Sequence, residues 1–124
     1  TALLDGPPDG IPDSDAPRML VVVDDADELV DTPAATALST LLRRGRDAGL
    51  VLVAAAQTHV VHRSFGGFLT DIRKPKHGAL LAPDPDVDGE LFGARLPRRR
   101  SHRFPSGRCY LVRRGDVDYV QIAR

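Results

Sequence analysis

The stretch Met19-Leu20-Val21-Val22-Val23-Asp24-Asp25 decides the fold. Its aliphatic run, rich in β-branched side chains, is bounded by Pro17 on one side and by aspartates on the other. A short apolar run without polar interruption reads as a strand buried on both faces of a parallel sheet. Its carboxyl end delivers Asp24 and Asp25. Downstream, Thr32 reads as a helix cap and Pro33 as the first helical residue, where a missing amide hydrogen costs nothing. Leu38, Leu41 and Leu42 then mark one apolar helix face, which Gly49 closes. Leu50–Ala55 reads as a second buried strand. The order strand, helix, strand implies a right-handed parallel crossover, so the predicted fold class is α/β.

Outward from this unit, residues 1–17 combine Pro7, Pro8, Pro12 and Pro17 with Gly6, Gly10 and scattered aspartates, a composition that resists helix and strand alike. They are expected to be a linker or entry loop. The first residue is a threonine, from which a longer or processed parent polypeptide is expected. Toward the other end, a loop is expected near Gln57–His62, a short helix from about Arg63 to Ile72, and a third strand over Gly78–Ala82. Asp84 and Pro85 look like the cap and first turn of another short helix ended by Gly93. Cys109–Val112 and Val117–Ile122 flank Arg113-Arg114-Gly115-Asp116, the pattern of a terminal antiparallel hairpin. There is no internal repeat, and residues 18–124 read as one domain.

The 124 residues include 42% apolar and 27% charged side chains, which excludes wholesale disorder. Aromatics are only 5% and tryptophan is absent, so an aliphatic core is expected. No apolar run approaches the roughly 20 residues that span a bilayer, and the start does not read as a signal peptide. Any membrane attachment is therefore expected from another part of the polypeptide. A single cysteine, Cys109, excludes an internal disulfide and a thiolate metal cluster, and a reducing, cytosolic setting is the simple inference. The formal net charge of zero conceals an asymmetry. Residues 1–31 hold nine acids against Arg18, and residues 93–124 hold nine arginines against Asp116 and Asp118. Such ends face each other or solvent, or the basic end meets an anion such as a nucleotide phosphate, nucleic acid or an acidic module.

In open α/β sheets, ligands gather beyond the carboxyl ends of the strands. A carboxylate following a buried strand is the Walker B arrangement, in which the first acid, here Asp24, would hold the magnesium shell, often through water. The next, here Asp25, would orient or activate the attacking water. A response-regulator receiver domain also places two acids after its first strand, but it needs a phospho-accepting aspartate at the end of a later one. Here the next strand ends in Gln57. A glutamine amide both donates and accepts, which suits sensing a γ-phosphate or holding the lytic water.

Two longer runs carry a resemblance: Pro17 through Leu29, containing Val21-Val22-Val23-Asp24-Asp25, and Leu41 through Gln57, containing Arg43-Arg44-Gly45-Arg46-Asp47-Ala48-Gly49. Together they resemble the second half of an FtsK/SpoIIIE-type ATPase domain. Asp84-Pro85-Asp86, Gly89-Glu90-Leu91-Phe92-Gly93, Ser106 through Gly115 and Val120-Gln121-Ile122-Ala123 are similar to the C-terminal ATPase modules of the EccC motor of type VII secretion. The resemblance covers about residues 17–124. It implies a partial RecA-like P-loop NTPase fold with a mainly parallel sheet, flanking helices and a C-terminal β-hairpin. It also implies ATP and magnesium as cofactors and other ATPase modules of the same motor as partners, with a secreted protein as possible substrate. The setting implied is the cytoplasmic face of a membrane, within a larger complex. Asp24 matches the Walker B magnesium acid and Gln57 the glutamine after the sensor strand. Asp25 stands where active translocases of this type carry glutamate, and Thr58-His59 where DNA translocases continue with Arg-Pro.

No Gly-x-x-x-x-Gly-Lys-Ser/Thr occurs, and Lys74 and Lys76 flank Pro75 rather than sit in a glycine loop. The phosphate-binding loop is expected upstream if it exists, and the chain alone is not expected to hydrolyse ATP. Arg46 reads either as an arginine finger reaching a neighbouring module's nucleotide or as a helix-end cation favoured by the macrodipole. Arg98, Arg99, Arg100, Arg103 and Arg108 crowd a loop that either binds phosphate backbone or is solvated. Phe104 and Tyr110 alone interleave them. His59 and His62 have the spacing of two metal ligands without a third nearby, and His77 and His102 stand alone. Three readings stay open: a secretion-motor ATPase module, a degenerate module that docks a protein partner or secretion substrate, and a DNA-translocating ATPase.

Overall fold

The computed structural model describes residues 19–122; the expected linker at residues 1–17 lies outside them. The chain divides between Ile72 and Arg73 into two compact units.

In the first unit, β1 (Met19–Val23) pairs in parallel with β2 (Leu50–Ala54), in the register Met19 with Leu50 through Val23 with Ala54. The connection is α1 (Pro33–Gly45) followed by a 3-10 turn, Arg46–Ala48. The α/β reading and the parallel crossing therefore hold, and both strands fall within a residue of expectation. α1 ends four residues before Gly49, at Gly45, where a Cβ would stand 2.7 Å from the Leu50 side chain. Thr32 does not cap the helix with its oxygen as expected; its hydroxyl donates to the Leu29 carbonyl at 2.6 Å. Leu38 and Leu42 pack on a core of Ala26, Ala54, Phe68 and Leu69. Leu41, about 100° of helical rotation from Leu42, is exposed instead of sharing that face.

β1 is not the fully buried strand its composition suggests. Met19, Leu20 and Val22 are 56%, 47% and 66% exposed. An apolar run reads as buried because parallel strands normally have both faces covered. Here the sheet has two strands, each with one partner among the described residues, so each keeps an open edge. Val23 and Ala54, paired across the sheet, join the core, whereas Leu20 and Val22 lie on the other face. The segment after β2 also differs from expectation. The expected loop is a helix, α2 (Thr58–Arg63), whose Val60 and Val61 reach the core. The expected single helix over 63–72 shortens to α3 (Phe68–Asp71), because Gly66 and Gly67 take φ of +102° and +75° and break the chain's helical path.

The second unit is a three-stranded antiparallel sheet of order β3 (His77–Leu81), β4 (Arg108–Arg113) and β5 (Asp116–Gln121). The expected hairpin is present, and the third strand begins one residue early. The expectation of a mainly parallel sheet is corrected: β3 runs antiparallel to β4, with His77 opposite Arg113 and Leu81 opposite Cys109. A short apolar strand carries the same composition in either direction, so its pairing sense is invisible until its partner is known. Between β3 and β4, Asp84 accepts the Asp86 amide at 2.9 Å and opens a turn, as its reading as a cap suggests. The helix that follows is a 3-10 segment, Asp88–Phe92, ended by Gly93 at φ +60°.

Aromatic packing holds the arginine-rich loop to this sheet. Tyr110, 1% exposed, donates its hydroxyl to the Pro97 carbonyl (3.3 Å) and shares a 2.6 Å hydrogen bond with His102 Nδ1. His102 stacks on Tyr119 at 4.1 Å, the Tyr119 hydroxyl donates to the Arg103 carbonyl, and Phe104 meets both tyrosines edge-on. Three of the six aromatic residues, Phe104, Tyr110 and Tyr119, thus anchor a loop rich in charge.

Candidate functional site

The carboxyl edge of the β1–β2 pair assembles from backbone geometry. The Ala55 amide donates to the Val23 carbonyl at 2.9 Å, and the Ala26 amide donates back to the Ala55 carbonyl at 2.7 Å. This second bond carries the pairing past the strand ends and draws Asp24 and Asp25 alongside the segment that leads into Gln57. Ala26 is completely buried, so the chain must turn inward immediately after the two acids. Asp25 makes that turn in the left-handed region, at φ 46° and ψ 47°. Its amide donates to Asp24 Oδ1 at 3.0 Å, and its carbonyl accepts the Glu28 amide at 2.9 Å. Aspartate is among the few residues other than glycine that occupy this region readily, because a short polar side chain bonds locally.

Gln57 stands at the start of α2 in extended conformation, with its carbonyl accepting the amides of Val60 and Val61 at 3.1 and 3.2 Å. Its side chain makes no capping bond. Asp24, Asp25 and Gln57 are all exposed, and none lines a cavity of about 700 Å³ that lies between α1 and the Ser64–Gly67 loop. Arg46 opens the 3-10 turn at the opposite end of β2 along the chain, before the strand rather than after it. In a parallel pair the two ends of a strand are opposite edges of the sheet, so the backbone does not bring Arg46 to the edge that carries the acids.

Asp27 was not singled out by sequence. Its Oδ1 is buried and has no hydrogen-bond partner, which in a carboxylate carries a desolvation cost unless a cation or donor meets it. The only sequence signal was its place two residues after Asp25. Among the described residues no group of three or more histidine, cysteine, aspartate or glutamate side chains could hold a metal ion. His59 and His62 therefore form no metal site with a third ligand there. For magnesium the donor set fits one mode, in which one or two carboxylates hold a water shell that substrate phosphate oxygens complete.

Two arginines of the arginine-rich loop are engaged within its own unit. Arg98 pairs with Asp86 at 2.5 Å, and the Arg108 guanidinium lies over the Tyr119 ring at 4.9 Å. Cys109 is buried, and burial pushes its thiol pKa up, which keeps it a packing residue rather than a nucleophile. No helix among the described residues is long and apolar enough to cross a membrane. No protein-family profile, curated protein or solved structure matches this chain.

Proposed function

We propose that residues 19–72 form the magnesium-facing part of a RecA-like nucleotide-binding module, of the kind that powers type VII secretion, and that the module is incomplete or inactive by itself. The observation that carries this reading is the parallel register of β1 and β2, extended by the Ala26–Ala55 hydrogen bond, which gathers Asp24, Asp25 and Gln57 on one sheet edge. Asp24 would hold the water shell of a magnesium ion, with Asp27 the nearest further carboxylate in sequence. The bound metal would neutralise phosphate charge. Asp25 and Gln57 would orient water and sense the terminal phosphate. In this reading the motor's other modules are its partners, and it works at the cytoplasmic face of a membrane within a larger complex.

The test uses a polypeptide in which this chain follows a glycine-lysine phosphate loop in its natural order. Magnesium-dependent ATP turnover is expected there, and Asp24→Ala should abolish it; turnover that survives the substitution refutes the assignment of β1. A second reading, a non-hydrolysing module that docks a protein, is favoured by Phe65, which is 97% exposed between the α2 end and Gly66. It predicts that partner binding is lost on Phe65→Ser while nucleotide has no effect. The DNA-translocating reading is weakened by Arg98 and Arg108, which are already engaged within the unit.

A further inference from the structure

A second concentration of unusual chemistry lies wholly within residues 73–122. Lys74, Lys76 and Arg114, with Pro75, Gly93 and Gly115, line a cavity of about 450 Å³ that contains no acidic side chain. This is room for a small ligand. Two of its cations sit where the local backbone disfavours them. Lys76 has φ +60°, and Arg114 has φ +48° in the two-residue turn it shares with Gly115 (φ +93°). Both residues of that turn have positive φ, the conformation for which Asn-Gly is the preferred pair.

These two departures are neighbours. The Arg114 amide donates to the Lys76 carbonyl at 3.0 Å, and the Lys76 amide closes its own turn onto the Arg73 carbonyl at 2.9 Å. The absence of a side chain at Gly93 leaves space beside Lys76, whose Nζ lies 3.4 Å from where a Cβ there would stand. A positive-φ position is ordinarily filled by glycine or asparagine, and here a long cation stands at both partners of one hydrogen bond. A lysine ammonium and a planar arginine fork, carried by two residues that line one concavity, match the charge and oxygens of a phosphate group.

We propose that this cavity is a phosphate-binding site, independent of the β1–β2 edge, that takes a phosphomonoester or diphosphate group through Lys76 and Arg114. The probe is inorganic pyrophosphate, titrated into the whole chain at about 50 mM salt and followed by backbone amide shifts. Saturable one-to-one binding is expected, with the largest shifts at residues 74–76, 93 and 114–115. The decisive variants are Lys76→Asn and Arg114→Asn, separately and together. Asparagine suits positive φ better than either cation, so each variant should melt at or above the temperature of the parent. The double variant should nevertheless bind pyrophosphate at least tenfold more weakly. Tricarballylate, a carboxylate of comparable charge, should bind at least tenfold more weakly than pyrophosphate. The proposal is overturned if pyrophosphate does not saturate by about 10 mM, or if the folded double variant binds it unchanged. Equal binding of tricarballylate, or an oligonucleotide that shifts the same amides and is not displaced by pyrophosphate, overturns it as well.

Discussion

Removing one oxygen atom, by Tyr110→Phe, should destabilise the second unit by about 1–2 kcal/mol. The ring is 1% exposed and keeps its edge-on contacts with Phe104 and Tyr119 at 5.1 and 5.8 Å, so little apolar burial is lost. What disappears is the hydroxyl. Two groups lose a partner, His102 Nδ1 at 2.6 Å and the Pro97 carbonyl at 3.3 Å. A typical hydrogen bond contributes about 1 kcal/mol net, and a buried group left unsatisfied costs about 1–3 kcal/mol. The 3.3 Å bond is long and His102 is only half-buried, which places the sum near the lower part of that range. The chain's two tyrosines both lie in this unit and there is no tryptophan, so intrinsic fluorescence in a urea titration reports on it alone. Tyr119 remains as the reporter in the variant. The midpoint should fall with an unchanged slope; an unchanged midpoint would mean that the hydroxyl does not hold the loop.

The same phenol gives a pH dependence. Burial, and secondly the neighbouring Tyr119, raise the Tyr110 pKa above its usual 10.0 despite an opposing effect of Arg99. A raised folded-state pKa means that its contribution is fully present below pH 10 and is lost as pH climbs through the higher folded value. Alkaline unfolding monitored by circular dichroism should therefore be steeper in the parent than in Tyr110→Phe, and identical profiles would contradict the burial. Val112→Ala, at a position with no exposure, should cost about 2 kcal/mol by lost burial and cavity formation, measured by the same urea titration. Gly89→Ala should be comparably damaging, since its Cβ would meet the Ala94 carbonyl oxygen of the backbone; hydrogen exchange at the Ala94 amide, bonded to the Gly89 carbonyl at 2.9 Å, should accelerate. At Asp25, glycine should be tolerated within about 0.5 kcal/mol, whereas Asp25→Val should cost at least about 1 kcal/mol, because a β-branched residue is strained in the left-handed region. Thermal melts of the two variants separate these outcomes.

Legibility in the sequence followed the range of the signal. β1, β2 and the terminal hairpin were readable because composition and turn residues mark them locally: Val21-Val22-Val23, Leu50 through Ala54, and Arg114-Gly115 between alternating strands. The antiparallel sense of β3 and the exposure of Leu20 and Val22 were not readable, since both depend on which strands lie alongside. The division after Ile72 escaped for a related reason, as the join at Arg73 carries no Gly/Ser-rich linker. Within the candidate site, the placement of Asp24, Asp25 and Gln57 on one edge followed from strand order alone. The orphaned Asp27 oxygen did not, because the burial of a single side-chain atom depends on tertiary packing. Likewise the positive φ at Lys76 and Arg114 contradicts their local propensity, so the cavity they line is visible only in three dimensions.

In the proposed reading, the edge beyond β1 and β2 faces a metal–triphosphate. Manganese–ATP, a paramagnetic substitute for magnesium–ATP, can be titrated at millimolar concentration into the isotope-labelled chain, with line broadening read residue by residue. The amides of residues 24–27 and 57 should broaden first, and Asp24→Ala should remove the effect. Broadening that is uniform, that starts elsewhere, or that persists unchanged in Asp24→Ala would contradict that reading.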